Sequence, residues 1–242
     1  MSTETSSIAG MLQGLNDQYR AITNNLANAN TPGFKRTRVA FSQTLHDAIR
    51  SDDADTAALE ARSEVDFSQG GVSATGAALH VALEGRGFFR IDTPNGPLYT
   101  RNGKFRTNAG RQLVDGAGRI VAGDGGGPIT LSAGQDASQI QIAADGTLTA
   151  GSQTVGRLRV VDFEKGALLR PVGAGCYQAA EGAEEQDAEG TSVRQGYVED
   201  SNVSVVEELI GLLTVTRLYE ANIKSVTMED DRMKNILQVA MS

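Results

Sequence analysis

The sequence predicts an α+β fold, a mainly antiparallel β central domain with N- and C-terminal helices forming a coiled-coil-like pair. Three observations carry this. Apolar residues near both ends recur at alternating steps of four and three, the middle alternates with period two, and turn dipeptides punctuate that middle at close intervals.

The N-terminal element comes first. Ile8, Leu12, Leu15, Tyr19, Ile22 and Leu26 step by 4, 3, 4, 3 and 4, which is the seam of a helix packed lengthwise on other helices. The segment ends at Asn30-Thr31-Pro32-Gly33, because proline and glycine together stop a helix. Residues 1–30 are therefore the N-terminal helix. Gly10 and Gly14 lie one turn apart and weaken it; they read either as a site of close helix approach or as a frayed end.

Residues 31–70 read as a linker or extended arm, since 50–66 are polar and weakly patterned. Residues 71–199 read as a β-rich domain. Leu79, Val81 and Leu83 alternate, followed by Phe89 and Ile91, and the pairs Asn95-Gly96, Asn102-Gly103, Asp115-Gly116 and Asp145-Gly146 supply turns. Leu98–Arg101, Pro128–Leu131, Gln139–Ile142 and Val155–Phe163 are the strand candidates between them. The acidic stretch 181–190 reads as a surface loop without calcium-ligand spacing.

Residues 200–242 repeat the helical seam at greater length. Val205, Leu209, Leu212, Thr216, Tyr219, Ile223, Val226, Asp230, Met233, Leu237 and Ala240 alternate steps of 4 and 3. Ser204 with Glu207 reads as a capping box. From there to Ala240 a helix spans roughly 55 Å at 1.5 Å per residue.

Composition excludes several function classes. A net charge of −8 argues against general nucleic-acid binding, which needs basic residues to displace counterions; the Lys35, Arg36 and Arg38 patch reads as a solvated loop edge. Cys176 stands alone, so neither an intramolecular disulfide nor a cysteine metal cluster is available. The two histidines, His46 and His80, lack metal-ligand spacing, and no nucleophile elbow or phosphate loop occurs. Gly123–Gly127 reads as a turn, lacking the lysine of a phosphate cradle. Asp52-Asp53 and Asp230-Asp231 lie where nothing raises a carboxylate pKa. The expectations are no catalysis, no cofactor, no metal, no small-molecule substrate and no membrane span. The polar start, Met1–Ser7, carries no Lys or Arg, so any export is expected without a cleaved signal peptide.

Two seams around one β-domain leave apolar stripes that a two-helix pair only partly hides. Neighbouring copies could bury the rest, and a head-to-tail contact that does not close builds a filament. The alternative is that both helices fold back onto their own β-domain.

The residues also resemble a known family. Asn24-Asn25-Leu26-Ala27-Asn28-Ala29-Asn30-Thr31-Pro32-Gly33-Phe34-Lys35 looks like the N-terminal signature of flagellar rod and hook proteins. The stretch 83–89, containing Gly87, Phe88 and Phe89, with Tyr99-Thr100-Arg101-Asn102-Gly103, is similar to the family's central motif. Gly196 to Val203, continuing through Glu207-Glu208-Leu209 and 217–222, resembles its C-terminal signature. The resemblance implies an axial subunit of the bacterial flagellar basal body in the periplasmic space. Its partners would be copies of itself, other rod proteins and the type III export apparatus, and no enzymatic activity is implied. Gly126–Thr130, Ile142–Thr147 and Val155–Leu158 look most like the proximal-rod protein, whereas 206–209 look closer to the distal-rod protein. A hook-type axial protein, a secreted filament or adhesin subunit, and a carbohydrate-acting enzyme are the remaining alternatives.

Overall fold

A computed structural model describes residues 2–43, 59–164 and 169–240. The chain divides into two compact units. One comprises residues 1–27, 37–66 and 204–242, the other residues 28–36 and 67–203.

The first unit contains α1 (Ser2–Ala27) and α2 (Val205–Ala240), joined in packing by Leu15, Ile22 and Val215 with Leu212 against them. Gly211 permits the approach, because a Cβ there would lie 3.3 Å from Ile22 Cδ1. Gly10 instead faces open space, so its cost to the helix is not repaid by contact. α2 begins directly after Ser204, whose carbonyl accepts the Glu208 N–H at 3.0 Å. Glu207 and Glu208 occupy the first turn, where the helix dipole favours negative charge.

The same unit turns part of the expected linker into a ribbon. β1 (Thr37–Gln43) and β2 (Leu59–Val65) pair antiparallel from Thr37↔Val65 to Gln43↔Leu59. Thr, Val and Phe in β1 suit this pairing better than the charged composition around them indicates. Asn25 ties the ribbon to α1: its side chain donates to Thr37 O at 2.8 Å and accepts from Thr37 N at 2.9 Å. Residues 44–58, within the arm expected from sequence, lie outside the described residues.

The second unit is built on antiparallel strands. Its largest sheet runs in the order β14 (Leu169–Gly173), β15 (Cys176–Ala179), β6 (Gly96–Thr100), β5 (Phe88–Thr93), β9 (Ile120–Val121), β8 (Leu113–Val114) and β7 (Arg106–Thr107). β13 (Val160–Asp162) also pairs with β5 and carries β16 (Gln186–Asp187). β10 (Ile140–Ile142), β11 (Thr147–Ala150) and β12 (Gln153–Arg157) form a three-stranded sheet. Two pairs complete the unit: β3 (Val72–Ala74) with β18 (Tyr197–Glu199), and β4 (Val81–Glu84) with β17 (Ser192–Gln195). The core gathers Val81, Leu83, Phe89, Ile91, Phe105, Leu148 and Leu158, among others, from several of these strands.

Three strand expectations change. Pro128–Leu131 makes only isolated bridges, since proline lacks the N–H a ladder needs, although Ile129 and Leu131 still enter the core. Val155–Phe163 breaks into β12 and β13, with Gly156 set against Ile129. Gln139 closes a 3₁₀ turn, and the strand begins at Ile140.

Gly103 has a role that the dipeptide pattern concealed. It is not a hairpin turn but a point of backbone contact: a Cβ there would lie 1.8 Å from the Val81 carbonyl oxygen. Gly103→Ala is therefore expected to cost about 3 kcal/mol or more, because backbone rather than a flexible side chain must move. Chemical denaturation followed by circular dichroism measures it; a cost below about 1 kcal/mol would show that the strand shifts freely.

Candidate assembly site

Two arrangements answer to the residues singled out in the sequence: an apolar helical surface in the first unit and a buried polar junction in the second.

On the helices, Leu15 and Ile22 are buried, Leu12 and Leu26 are half-buried, and Tyr19 is 48% exposed. Leu212 is half-buried, while Val205, Leu209, Tyr219 and Ile223 are exposed. The side chains of Ile8, Val226, Met233 and Leu237 lie outside the described residues. The buried position of α2 that the seam missed is Val215, only 2% exposed. The true inward stripe passes through Glu208, Gly211, Leu212 and Val215. Apolar residues occupy both sides of α2, so spacing alone offered two registers.

Leu15, Asn16, Tyr19, Val215, Thr216 and Tyr219 line a groove of about 280 Å³ between α1 and α2. On the opposite side of α2 from Val215, Val206, Ile210 and Leu213 are 68%, 60% and 61% exposed. They stand at i, i+4 and i+7, one continuous stripe.

The polar junction centres on Glu199. Lys35 Nζ lies 2.5 Å from Glu199 Oε1 and donates to Ser68 O at 2.6 Å. Arg101 Nη1 lies 3.4 Å from Glu199 Oε2, and its Nη2 donates to Gly85 O at 2.8 Å. Gly70 N also donates to Glu199 Oε1, at 3.0 Å. The side chains of Lys35 and Glu199 are fully buried and that of Arg101 is 4% exposed. Burial lowers the Arg101 pKa from its ordinary value, with Glu199 opposing that shift. Arg101 also lies 5.3 Å from the Phe88 ring centre, a cation–π arrangement.

Main-chain contacts complete the junction. Gly33 N donates to Glu199 O at 2.7 Å, and Arg36 N donates to Asn202 Oδ1 at 2.7 Å. Gly33 has φ +69°, and a Cβ there would lie 2.3 Å from Asn102 N. Both its conformation and its packing therefore require glycine. Among the other motif residues, Asn25, Gly87, Phe88, Phe89, Tyr99, Thr100 and Gly103 are buried. Asn28, Thr31, Pro32 and Phe34 are half-buried, whereas Asn24 and Ala27 are exposed. Lys35, expected at a solvated loop edge, is instead fully buried because it pairs with Glu199, a residue the sequence pattern did not single out. Their place inside two signature blocks was the available signal.

The acidic stretch 181–190 is anchored rather than free. Glu185 pairs with Arg90 Nη1 at 2.9 Å and accepts the Tyr99 hydroxyl. A polar depression of about 210 Å³ holds Asp124, Arg157, Arg159 and Asp187, whose charges face one another: Arg159 Nη1 is 2.9 Å from Asp124 and 2.7 Å from Asp187. Among the described residues, no helix is long and apolar enough to cross a membrane, and no acidic, histidine or cysteine cluster is arranged to hold a metal.

Burial raises the pKa of Tyr99, Tyr177 and the Cys176 thiol. For Tyr99 the Glu185 carboxylate adds to the rise; for Cys176 the Arg119 guanidinium opposes it. The folded state thus holds these protons more tightly than the unfolded chain does. Their contribution is complete below the unfolded pKa values, about 8.5 for Cys and 10 for Tyr, and is lost as pH rises beyond them. Thermal unfolding at stepped pH is expected to show a falling Tm above about pH 9; a Tm constant up to about pH 11 would contradict this.

Comparison with known proteins matches the same blocks. Residues 13–35 match the flagella basal body rod protein family, residues 82–150 the flagellar hook protein FlgE/F/G D1 domain, and residues 194–239 the flagellar basal body rod FlgEFG protein C-terminal family. Flagellar basal-body rod protein FlgG of Buchnera aphidicola subsp. Acyrthosiphon pisum is 31% identical across 90% of this chain and 92% of its own length. The chain belongs to the flagellar rod and hook protein family. This rod protein is also similar to FlgF of Rhizobium meliloti, 33% identical over 85% of this chain and 84% of the relative, and to FlgG of Bacillus subtilis, 29% identical over 97% of both. It is a structural subunit of the flagellar basal-body rod, and the family is not enzymatic. That assignment sets aside the secreted adhesin reading. Each matched block supplies one member of the buried junction: Lys35, Arg101 and Glu199.

Proposed function

We propose that this rod protein serves in the proximal rod, where copies join one another and other rod components through their terminal helices and transmit torque. The observation that carries the self-assembly is the exposed stripe Val206, Ile210 and Leu213 on the face of α2 opposite Val215. Each such side chain contributes about 1.5–3 kcal/mol when fully buried, and a stripe repeated in every copy multiplies that gain along the shaft. The type III export apparatus delivers the chain to the periplasmic space.

The proximal position is favoured by the stretches 126–130, 142–147 and 155–158. They share one packed region: Gly156 contacts Ile129, and Ile142 and Leu158 join the same core cluster. A distal position is the second reading, favoured by the 206–209 stretch.

Immuno-labelling of purified hook–basal bodies, paired with electron microscopy of a deletion strain, tests both. Label on the rod and assembly halted before the distal section are expected. A rod that reaches full length but lacks a hook would move the chain to the distal position. Intact flagella in the deletion strain would overturn the rod reading altogether.

A further inference from the structure

Residues 28–36 belong to the β-rich unit, yet the chain on both sides of them, 1–27 and 37–66, belongs to the other. Their anchors in the β-rich unit are long-range. Lys35 reaches Ser68 and Glu199, Gly33 N reaches Glu199 O, and Arg36 N reaches Asn202. The seat they occupy is built from residues 67–203. Glu199 is fixed there by Gly70 N, by Arg101 and by the β18–β3 pairing, and Arg101 is fixed in turn by Gly85 O. If the segment leaves, Glu199 keeps Arg101 as its counter-ion, so the seat stays electrostatically paired.

We propose that residues 28–36 are a detachable strap, and that the seat around Glu199 accepts the same strap from a second copy of this chain. A short segment bound through long-range contacts can be exchanged with those contacts reproduced, which is the condition for low-cost domain swapping. Buried ion pairs favour this over a permanent lock. Their attraction is largely offset by desolvation, so they specify register more than they add stability. In an array of identical copies, a neighbour's strap is also presented at high effective concentration. Exchange would link successive subunits through Gly33, Lys35 and Arg36, in addition to the helical surfaces. The in-cell test rests on the rod reading; a second, on purified protein, does not.

In a deletion strain, one full-length copy carries Lys35→Glu and a second carries Glu199→Lys. Each alone seats a like charge against its own partner and is expected to lower the yield of assembled rods about tenfold or more. Exchange sets the acidic strap of the first chain in the basic seat of the second, and leaves the native pair in the other direction. Co-expression is therefore expected to restore assembly, as is the double variant in one chain. Restoration by the double variant but not by the co-expressed singles would overturn exchange.

The second test is read on purified full-length protein in a Cys176→Ala background, mixing Arg36→Cys chains with Asn202→Cys chains under mild oxidation. Disulfide-linked dimers that form only in the mixture are expected. Their absence, while the Arg36→Cys/Asn202→Cys double variant closes within one chain, would overturn the proposal. This arm decides if the charge reversal is tolerated in neither arrangement. Absence of the wild-type chain from basal bodies would refute the rod reading while leaving the disulfide result intact.

Discussion

Glu199→Gln is expected to destabilise the β-rich unit by about 3–5 kcal/mol, because it removes the carboxylate between two buried cations and leaves both in a low-dielectric interior. Glutamine keeps the shape and one carbonyl acceptor, so packing changes little and the loss reports charge. Lys35 and Arg101 are not interchangeable in this respect. Lys35→Met leaves Glu199 with Arg101, and its cost is expected to stay near about 1–2 kcal/mol, since methionine fills the aliphatic volume of the lysine stem. Equilibrium urea unfolding of the full chain separates the two, with tyrosine fluorescence reporting on Tyr99 and Tyr177, both buried in this unit. Equal costs for the two variants would mean that the network does not centre on Glu199. A Glu199→Gln chain as stable as wild type would mean that water reaches the junction.

The β-rich unit was legible where chemistry repeats at short range. Alternation at Leu79, Val81 and Leu83, continued by Phe89 and Ile91, marks residues that all enter one core cluster. Asn95-Gly96 connects β5 to β6, and Asp145-Gly146 connects β10 to β11, with φ of +109° at Gly96 and +84° at Gly146. Asp115-Gly116 shows the limit of that rule. The positive φ falls on Gly118 instead, and Asp115 organises the turn by accepting from Ala117 N and Arg119 N. Hairpin dipeptides report that a turn occurs, while side-chain acceptors choose which residue takes the left-handed conformation.

Long-range pairing was not legible, for a physical reason. Lys35 and Glu199 are separated by 164 residues, and a lone polar residue has no periodicity to betray its partner. Only the coincidence of three signature blocks marked the region. The β1–β2 ribbon was hidden differently. Its second strand, Leu-Glu-Ala-Arg-Ser-Glu-Val, has the composition of a solvated arm, and pairing with β1 overrides that local preference. On α2 the difficulty was excess signal, since apolar residues on both faces let the seam be drawn one position away from Val215.

That ambiguity yields a sharp pair of substitutions. Val215→Asp places a carboxylate among Leu15, Ile22 and Leu212, where an unpaired charge costs several kcal/mol. It is expected to separate α1 from α2 and to abolish both helix pairing and incorporation into the rod. Leu213→Asp lies two residues away but is 61% exposed in the single chain, so it is expected to change stability by less than about 0.5 kcal/mol. It nevertheless puts a charge in the middle of the Val206, Ile210 and Leu213 stripe. If neighbouring copies cover that stripe, rods containing this variant should lose about tenfold or more in assembly, since desolvating one unpaired carboxylate outweighs what a single leucine contributes. Ile223→Asp, also at an exposed position, is expected to follow Leu213→Asp rather than Val215→Asp. Circular dichroism of purified chains reads the first effect; basal-body yield and swimming in the deletion strain read the second. A Leu213→Asp chain that folds and swims normally would remove the stripe from the assembly surface and leave the groove between Tyr19 and Tyr219 as the face to test next. A Val215→Asp chain with unchanged helicity would show instead that α1 and α2 hold their helices without each other.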